Sequence, residues 1–257
     1  MSKKIGYAGD RHIAVKVLSF IKKHDIYPQI LFISDNKESS HSEELISLCK
    51  DLPFENIIPG SKLSEERTIK KVKSLALDYI FCIHYPYLIP TSIIDCVNIG
   101  VINLHPAYLP YNRGWNTPTW SIIEKTPYGA TLHFMDSKLD TGDIIAQEKI
   151  EILPEDTADS LYNRTLELEY ELFKSSWPVL MTGKPERIRQ DHNLATIHRK
   201  GDIKSIQKLE LSEEKKIEDI LDLLRGLTTN NLDEAAYYEK NDKRYFIQIK
   251  IFKEHLT

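Results

Sequence analysis

Three short apolar runs constrain the fold of this chain more than any other feature: residues 29–34 (QILFIS), 78–83 (DYIFCI) and 100–103 (GVIN). Their apolar positions are continuous rather than alternating, so both faces of each run must be covered, as in strands of a parallel sheet. Turn-forming residues bound the first run, Pro28 before it and Asp35-Asn36 after it. A shorter strand is expected at 4–8, before the turn at Gly9-Asp10, and a weak one at 56–58, ended by Pro59-Gly60. Between the strands the spacing predicts helices over 13–21, 42–52 and 65–77, with a further helical piece near Ile93. Glu43-Glu44 lie in the first turn of the second helix, where acidic side chains complement the dipole. This alternation argues for an open parallel sheet with helices on both faces.

After Asn103 the pattern changes. Residues 129–135 and 143–150 read as strands separated by the acidic loop 136–142, an antiparallel hairpin at one side of the sheet. Thr157 or Asp159 can cap a long helix in which Leu161, Leu168, Leu172, Phe173 and Trp177 fall near helical spacing; Gly183-Lys184-Pro185 should end it. From residue 186 the chain is more polar and its elements shorter. Residues 217–227 read as a helix, and 236–239 and 245–252 as a hairpin joined through Asn241-Asp242. The expected class is α/β. A Rossmann-like, mostly parallel sheet with an antiparallel hairpin at one side occupies 1–185, and a small C-terminal α+β module ending in a β-hairpin occupies 186–257.

Charge and cysteine usage narrow the function classes. The net charge of −4 leaves no electrostatic footprint for general nucleic-acid binding. Cys49, Cys82 and Cys96 follow neither a CxxC pattern nor a regular spacing, which reads as reduced thiols in a cytoplasmic protein and not as a disulfide framework or zinc site. No His/Cys/Asp cluster has ligand spacing, so no metal is expected. No segment approaches the apolar length that spans a bilayer. The opening apolar run, stopped by Asp10-Arg11-His12, is too brief for a signal peptide. The expectation is a cytoplasmic protein with neither a membrane nor a nucleic-acid partner.

The residues with chemistry concentrate in two stretches, 103–114 and 134–143. Asn103 and His105 fall at the carboxyl end of a predicted parallel strand, the edge at which open α/β sheets bind ligands. Two residues apart in an extended segment, they leave one face together, and Pro106 turns the chain away after them. An amide beside an imidazole suits acyl transfer to an amine. The amide N–H can donate to the oxyanion that forms, and an imidazole titrating near neutrality can accept the proton that the nitrogen loses. A carboxylate such as Asp140 can orient that imidazole and favour its charged form. Asp143 reads instead as a strand-edge residue of the hairpin. Gly6-Tyr7-Ala8-Gly9 lacks the full spacing of a dinucleotide fingerprint. The turn after it can still bring backbone N–H groups near a phosphate, which makes Gly9, Asp10 and Arg11 candidate substrate contacts. Arg113 has two readings, a substrate contact or a structural arginine, and Gly114 permits a tight turn beside the site.

The motif N-L-H-P-A-x-L-P-x-x-R-G at 103–114, followed by F-M-D-x-x-L-D-T-G-D at 134–143, resembles the 10-formyltetrahydrofolate-dependent formyltransferase family. The likeness extends over most of residues 3–150 and is strongest from Asp78 onward. It implies a catalytic trio of Asn103, His105 and Asp140, with 10-formyltetrahydrofolate as cosubstrate and no metal. It also implies a folate site formed by Tyr85, Pro86, Tyr87 and Leu88 together with Asp136, Lys138 and Leu139. The segment His84-Tyr85-Pro86-Tyr87 departs from the small, Gly-containing loop common in the tRNA-directed members. Tyr85 and Tyr87 therefore keep two readings, ligand contact or packing beside the sheet.

The acceptor amine is read from the tail. About seventy residues follow Pro185 and their charges nearly cancel, which disfavours the phosphate-backbone binding a tRNA needs. A catalytic core with a small helix-plus-hairpin tail is most similar to the sugar N-formyltransferases. The resemblance implies a nucleotide-linked amino sugar as substrate, such as dTDP-4-amino-4,6-dideoxyglucose, in O-antigen or other surface polysaccharide synthesis. The alternatives are a methionyl-tRNA formyltransferase with a reduced tail and a catalytically silent, Rossmann-like ligand-binding module. Tyr237, Tyr238, Tyr245, Phe246, Ile247, Ile249 and Ile251 put more apolar surface in the tail than so short a segment covers alone, so a homodimer is expected.

Overall fold

A computed structural model describes residues 3–37 and 39–254. In chain order the strands and helices are β1 (Ile5–Gly9), α1 (Arg11–Lys22), β2 (Pro28–Ile33), α2 (Ser42–Leu48), β3 (Ile57–Pro59), α3 (Glu66–Leu75), β4 (Tyr79–Ile83), α4 (Thr91–Ile94) and β5 (Gly100–His105). There follow β6 (Arg113–Gly114), α5 (Thr117–Glu124), β7 (Tyr128–Phe134), β8 (Ile144–Ile150), α6 (Ala158–Thr182), β9 (Ile197–His198), α7 (Lys204–Gln207), α8 (Ile217–Gly226), β10 (Ala236–Lys240) and β11 (Lys243–Ile247).

Seven strands form the main sheet in the order β3-β2-β1-β4-β5-β7-β8. β1 runs parallel to β2 and β4, β2 to β3, and β4 to β5, whereas β7 is antiparallel to β5. This is the expected α/β class. The continuous apolar runs are explained directly, because every residue of β1 and β4 is buried. Two of the predicted helices are shorter than expected. α2 stops at Leu48, and Leu52, which precedes Pro53, lies in a turn; the residue before a proline is steered away from the helical region. α3 stops at Leu75 because Ala76 turns left-handed, which frees Leu77 for the core beneath the sheet.

The chain divides into two units, each discontinuous in sequence: Met1–His105 with Thr131–Gln147 and Glu169–Gln190, and Pro106–Ala130 with Glu148–Leu168 and Asp191–Thr257. In the first, α1 buries Ile13, Ala14, Val17, Leu18 and Ile21, an apolar stripe at helical spacing. Phe173 and Trp177 of α6 set their rings against Phe20 and Phe81, and the Tyr79 hydroxyl donates to the Leu180 carbonyl at 2.9 Å. In the second, Thr157 caps α6. Its N–H donates to Ser160 Oγ (3.0 Å), and the Ser160 N–H donates back to Thr157 Oγ1 (3.3 Å), a reciprocal cap that leaves Asp159 without that role. The β10–β11 hairpin turns at Asn241 and Asp242, both at positive φ, as a two-residue turn requires. It ends at Ile247 rather than Phe252, because its partner strand begins at Ala236. The two-residue strands β6 and β9 pair in parallel and were too short to carry a sequence period. Among the described residues no helix is long and apolar enough to cross a membrane.

Candidate active site

β5 lies between β4 and β7, and its register builds one half of the site. Asn103 pairs with His133 and His105 with Thr131 across the antiparallel boundary, so Asn103, His105 and His133 share a face. The Asn103 Nδ2 lies 3.2 Å from His133 Nε2, and the rings of His105 and His133 stand edge to face with centroids 6.2 Å apart. His105 and His133 are buried, and Asn103 is partly so.

The other half arrives on a loop. The chain leaves β7 beside Val101, where the Met135 N–H donates to the Val101 carbonyl, and then turns back over the sheet to bring Asp140 to Asn103 and His105. Asp140 Oδ1 accepts from Asn103 Nδ2 at 3.4 Å and lies 3.6 Å from His133 Nε2, and its Oδ2 lies 3.6 Å from His105 Nε2. Asp140 has φ 51°, a left-handed backbone that a side-chain-bearing residue keeps only where its surroundings demand it. The demand is visible. Gln190 Nε2 donates to the carbonyls of Asp140 (3.0 Å) and Gly142 (2.7 Å). Asp136 Oδ1 accepts from the Lys138 N–H (2.9 Å) and the Thr141 hydroxyl (2.6 Å). A β-carbon on Gly142 would lie 1.9 Å from the Phe134 carbonyl oxygen, so only glycine lets the loop close this tightly.

The buried His133 is electrically fixed. Burial pushes its imidazole down to about 4 against the opposing pull of the Asp140 carboxylate, so it is neutral at pH 7. Its Nδ1 lies 2.8 Å from the Phe134 carbonyl, which can only accept, so Nδ1 carries the proton and Nε2 presents a lone pair to Asn103. The amide of Asn103 is thereby turned with its NH₂ toward His133 and Asp140.

The remaining candidates fall into three places. Tyr85, Pro86, Tyr87 and Leu88 follow the carboxyl end of β4. Both tyrosines pack on the same apolar cluster as Met135, the Tyr85 hydroxyl donates to the Ile33 carbonyl (3.3 Å), and Tyr87 donates to Asp35 (2.6 Å). Lys138 is exposed and Leu139 half-buried in the Asp140 loop. Gly9, Asp10 and Arg11 form the turn after β1. The buried Asp10 carboxylate accepts from the Ser40 N–H at 2.8 Å, and Arg11 is exposed beside it. Arg113 and Gly114 belong to the second unit, in β6. There the buried Arg113 lies 3.0 Å from His192 Nδ1, and its N–H donates to the Thr196 carbonyl. One group of metal-ligand type occurs among the described residues: His12, His41 and Glu44, with ligand atoms within 4.8 Å of one another. The second nitrogen that orients a metal-bound histidine is unsupported here, since His41 Nδ1 is buried without a hydrogen-bond partner.

A profile described as "Formyl transferase" matches residues 10–176, well over half the chain and spanning all three members of the trio. The chain belongs to the formyl transferase family. A second profile, "N-formyltransferase dimerization C-terminal domain", matches residues 202–253 of this formyl transferase. The dTDP-4-amino-4,6-dideoxyglucose formyltransferase of Mycobacterium tuberculosis is 29% identical over 177 residues, 69% of this chain and 74% of its own. The methionyl-tRNA formyltransferase of Clostridioides difficile is 30% identical over 249 residues, 93% of this chain and 77% of its own. Among solved structures, a 4-N formyltransferase from Francisella tularensis superposes with a TM-score of 0.83 at 26% identity, covering 98% of this chain and 99% of that one.

Three residues that support the candidate site residues or the segments beside them escaped the sequence. His133 sits in a strand whose residues are all buried, and only the β5–β7 register sets it opposite Asn103. Gln190 lies far along the chain from the loop it holds. Glu169 falls on the buried stripe of α6 and faces His84, a pair that no local spacing announces.

Proposed function

We propose that this formyl transferase moves the formyl group of 10-formyltetrahydrofolate onto the amine of a nucleotide-linked amino sugar, with Asn103, His105 and Asp140 as its catalytic residues. The convergence of that amide, imidazole and carboxylate on one sheet face carries the reading. The acceptor amine attacks the formyl carbon, and the carbonyl oxygen becomes an oxyanion. One Nδ2 hydrogen of Asn103 stays on His133 Nε2. The other, engaged at 3.4 Å by Asp140, is the one given to the oxyanion. His105 takes the proton from the new ammonium, with Asp140 stabilising the imidazolium. Collapse of the intermediate breaks the bond to N10 of the folate, which takes the proton held by His105 and leaves as the neutral amine. The segments 85–88 and 136–139 are assigned to the folate, and Gly9–Arg11 and Arg113-Gly114 to the nucleotide sugar.

The acceptor is taken to be dTDP-4-amino-4,6-dideoxyglucose or its 4-epimer, in the cytoplasm and in the service of surface polysaccharide synthesis. The Mycobacterium relative, the slightly negative chain and the dimerization-domain match favour this reading, and the three cysteines, all free, suit a reducing compartment. Residues 186–257 are proposed as the dimer module; light scattering should give twice the chain mass, and a monomeric mass at micromolar concentration contradicts that. The Clostridioides relative favours methionyl-tRNA as the competing acceptor. Mass spectrometry of parallel incubations with the dTDP-linked sugar, the free amino sugar and methionyl-tRNA separates the readings. The expected result is one added formyl group on the dTDP-linked sugar and far slower reaction of the free sugar, because remote nucleotide binding positions the amine. Formylation of methionyl-tRNA alone would overturn the substrate and leave the chemistry intact.

A further inference from the structure

Glu169 is fully buried on the same stripe of α6 as Leu172 and Phe173, where a carboxylate is retained only if it is paired. Its partner is His84, whose Nε2–H donates to both carboxylate oxygens, at 2.9 and 2.8 Å. His84 is the first residue beyond β4 and adopts φ 50°, the left-handed region. The segment that follows, 85–88, is fastened again at its far end. There the Tyr87 hydroxyl donates to Asp35, which also accepts from the N–H and hydroxyl of Ser61, and the Tyr87 ring lies where a β-carbon on Gly60 would stand, 2.4 Å away. Between the two fastenings Pro86 has a fixed φ. Leu88, just past the second, is 72% exposed.

We infer that Glu169 is a positioning residue for the formyl donor. Through His84 it holds the left-handed turn that sets the path of 85–88, the segment assigned above to the folate, and the inference rests on that assignment. A left-handed backbone at a residue with a β-carbon persists where side-chain contacts over-determine it, and the buried Glu169 carboxylate supplies such a contact. Releasing it lets residue 84 relax toward extended backbone and shifts the donor segment. Asn103 and His105 stay on β5, and Asp140 stays under Gln190, because neither attachment passes through His84. The consequence is selective: donor binding weakens while the chemical step on bound donor persists.

The test compares Glu169→Leu, which removes the acceptor, with Glu169→Gln, which keeps the shape and one acceptor oxygen but loses the charge. In full-length protein, KM for 10-formyltetrahydrofolate is expected to rise about tenfold or more in the Leu variant and about threefold in the Gln variant. Turnover at saturating donor and KM for the acceptor should stay within about threefold of wild type, since a displacement of this kind is read out where the ligand contacts the moved segment. Calorimetry with 5-formyltetrahydrofolate should follow the same order. Wild-type donor KM in a folded Leu variant overturns the inference, as does a loss shared equally by turnover and both KM values. Should the Leu variant not fold, wild-type donor KM in the Gln variant overturns it alone. If wild-type protein binds no folate, the assignment of 85–88 fails first, a result distinct from either.

Discussion

Asn103 and His105 meet Asp140 within hydrogen-bonding or ion-pairing reach, yet the two halves of the site are held by different means. The strand half is fixed by register: β5 pairs with β4 over 100–104 and with β7 over 102–105, and side chains two apart must share a face. The loop half is fixed by a few separate contacts, namely the missing β-carbon of Gly142, the amide of Gln190 and the carboxylate of Asp136. Strand-borne groups therefore tolerate distant change, whereas the loop-borne carboxylate can be displaced by a substitution that touches no reacting atom.

The largest expected effect breaks the loop half alone. Gly142→Ala places a β-carbon into the Phe134 carbonyl, so Asp140 must move; turnover should fall on the order of 10²–10³-fold while far-UV spectra stay native. Turnover near wild type would mean that the loop adapts, and the contrast between halves would collapse. The strand half is sharpened by pH. The folded imidazole of His133 titrates at about 4, below the ordinary 6.5, so between these values the unfolded chain binds a proton that the folded chain refuses. Stability from this group is complete above pH 6.5 and is lost as pH falls toward 4, by on the order of 3 kcal/mol at about 1.4 kcal/mol per unit. Urea unfolding at pH 7 and pH 4.5 should show this loss in wild type and a flatter dependence in His133→Gln, which keeps an acceptor for Asn103. Equal slopes would contradict it. The smallest effect is Gln190→Leu. Two hydrogen bonds to the loop carbonyls disappear, and turnover should fall about tenfold with KM values little changed. No change would leave Gly142 and Asp136 as sufficient support for the loop.

Much of this was legible in the sequence where the local pattern carries the physics. Continuous apolar runs gave β2, β4 and β5, and the proximity of Asn103 to His105 followed from strand geometry once Pro106 marked the strand end. The approach of Asp140 was implied by resemblance and not by spacing, because a loop that turns back across a sheet leaves no period. His133 was silent for a related reason. Its role depends on a register between strands more than twenty residues apart, and a histidine inside an apolar strand looks like any other buried ring. Glu169 broke the apolar stripe of α6 without showing what it faced. Elements of two residues, β6 and β9, exist through pairing alone and have no propensity to read.

Single-turnover transfer of labelled formyl from 10-formyltetrahydrofolate, in wild-type protein and in Asn103→Ala, His105→Ala and Asp140→Asn, tests the central claim most directly. Each variant should keep a native unfolding transition and lose on the order of 10²-fold or more in rate, since each removes a group needed only as the oxyanion and ammonium form. Wild-type rates in all three folded variants would show that the amide, imidazole and carboxylate gathered on β5 and its neighbouring loop are not the groups that perform the transfer.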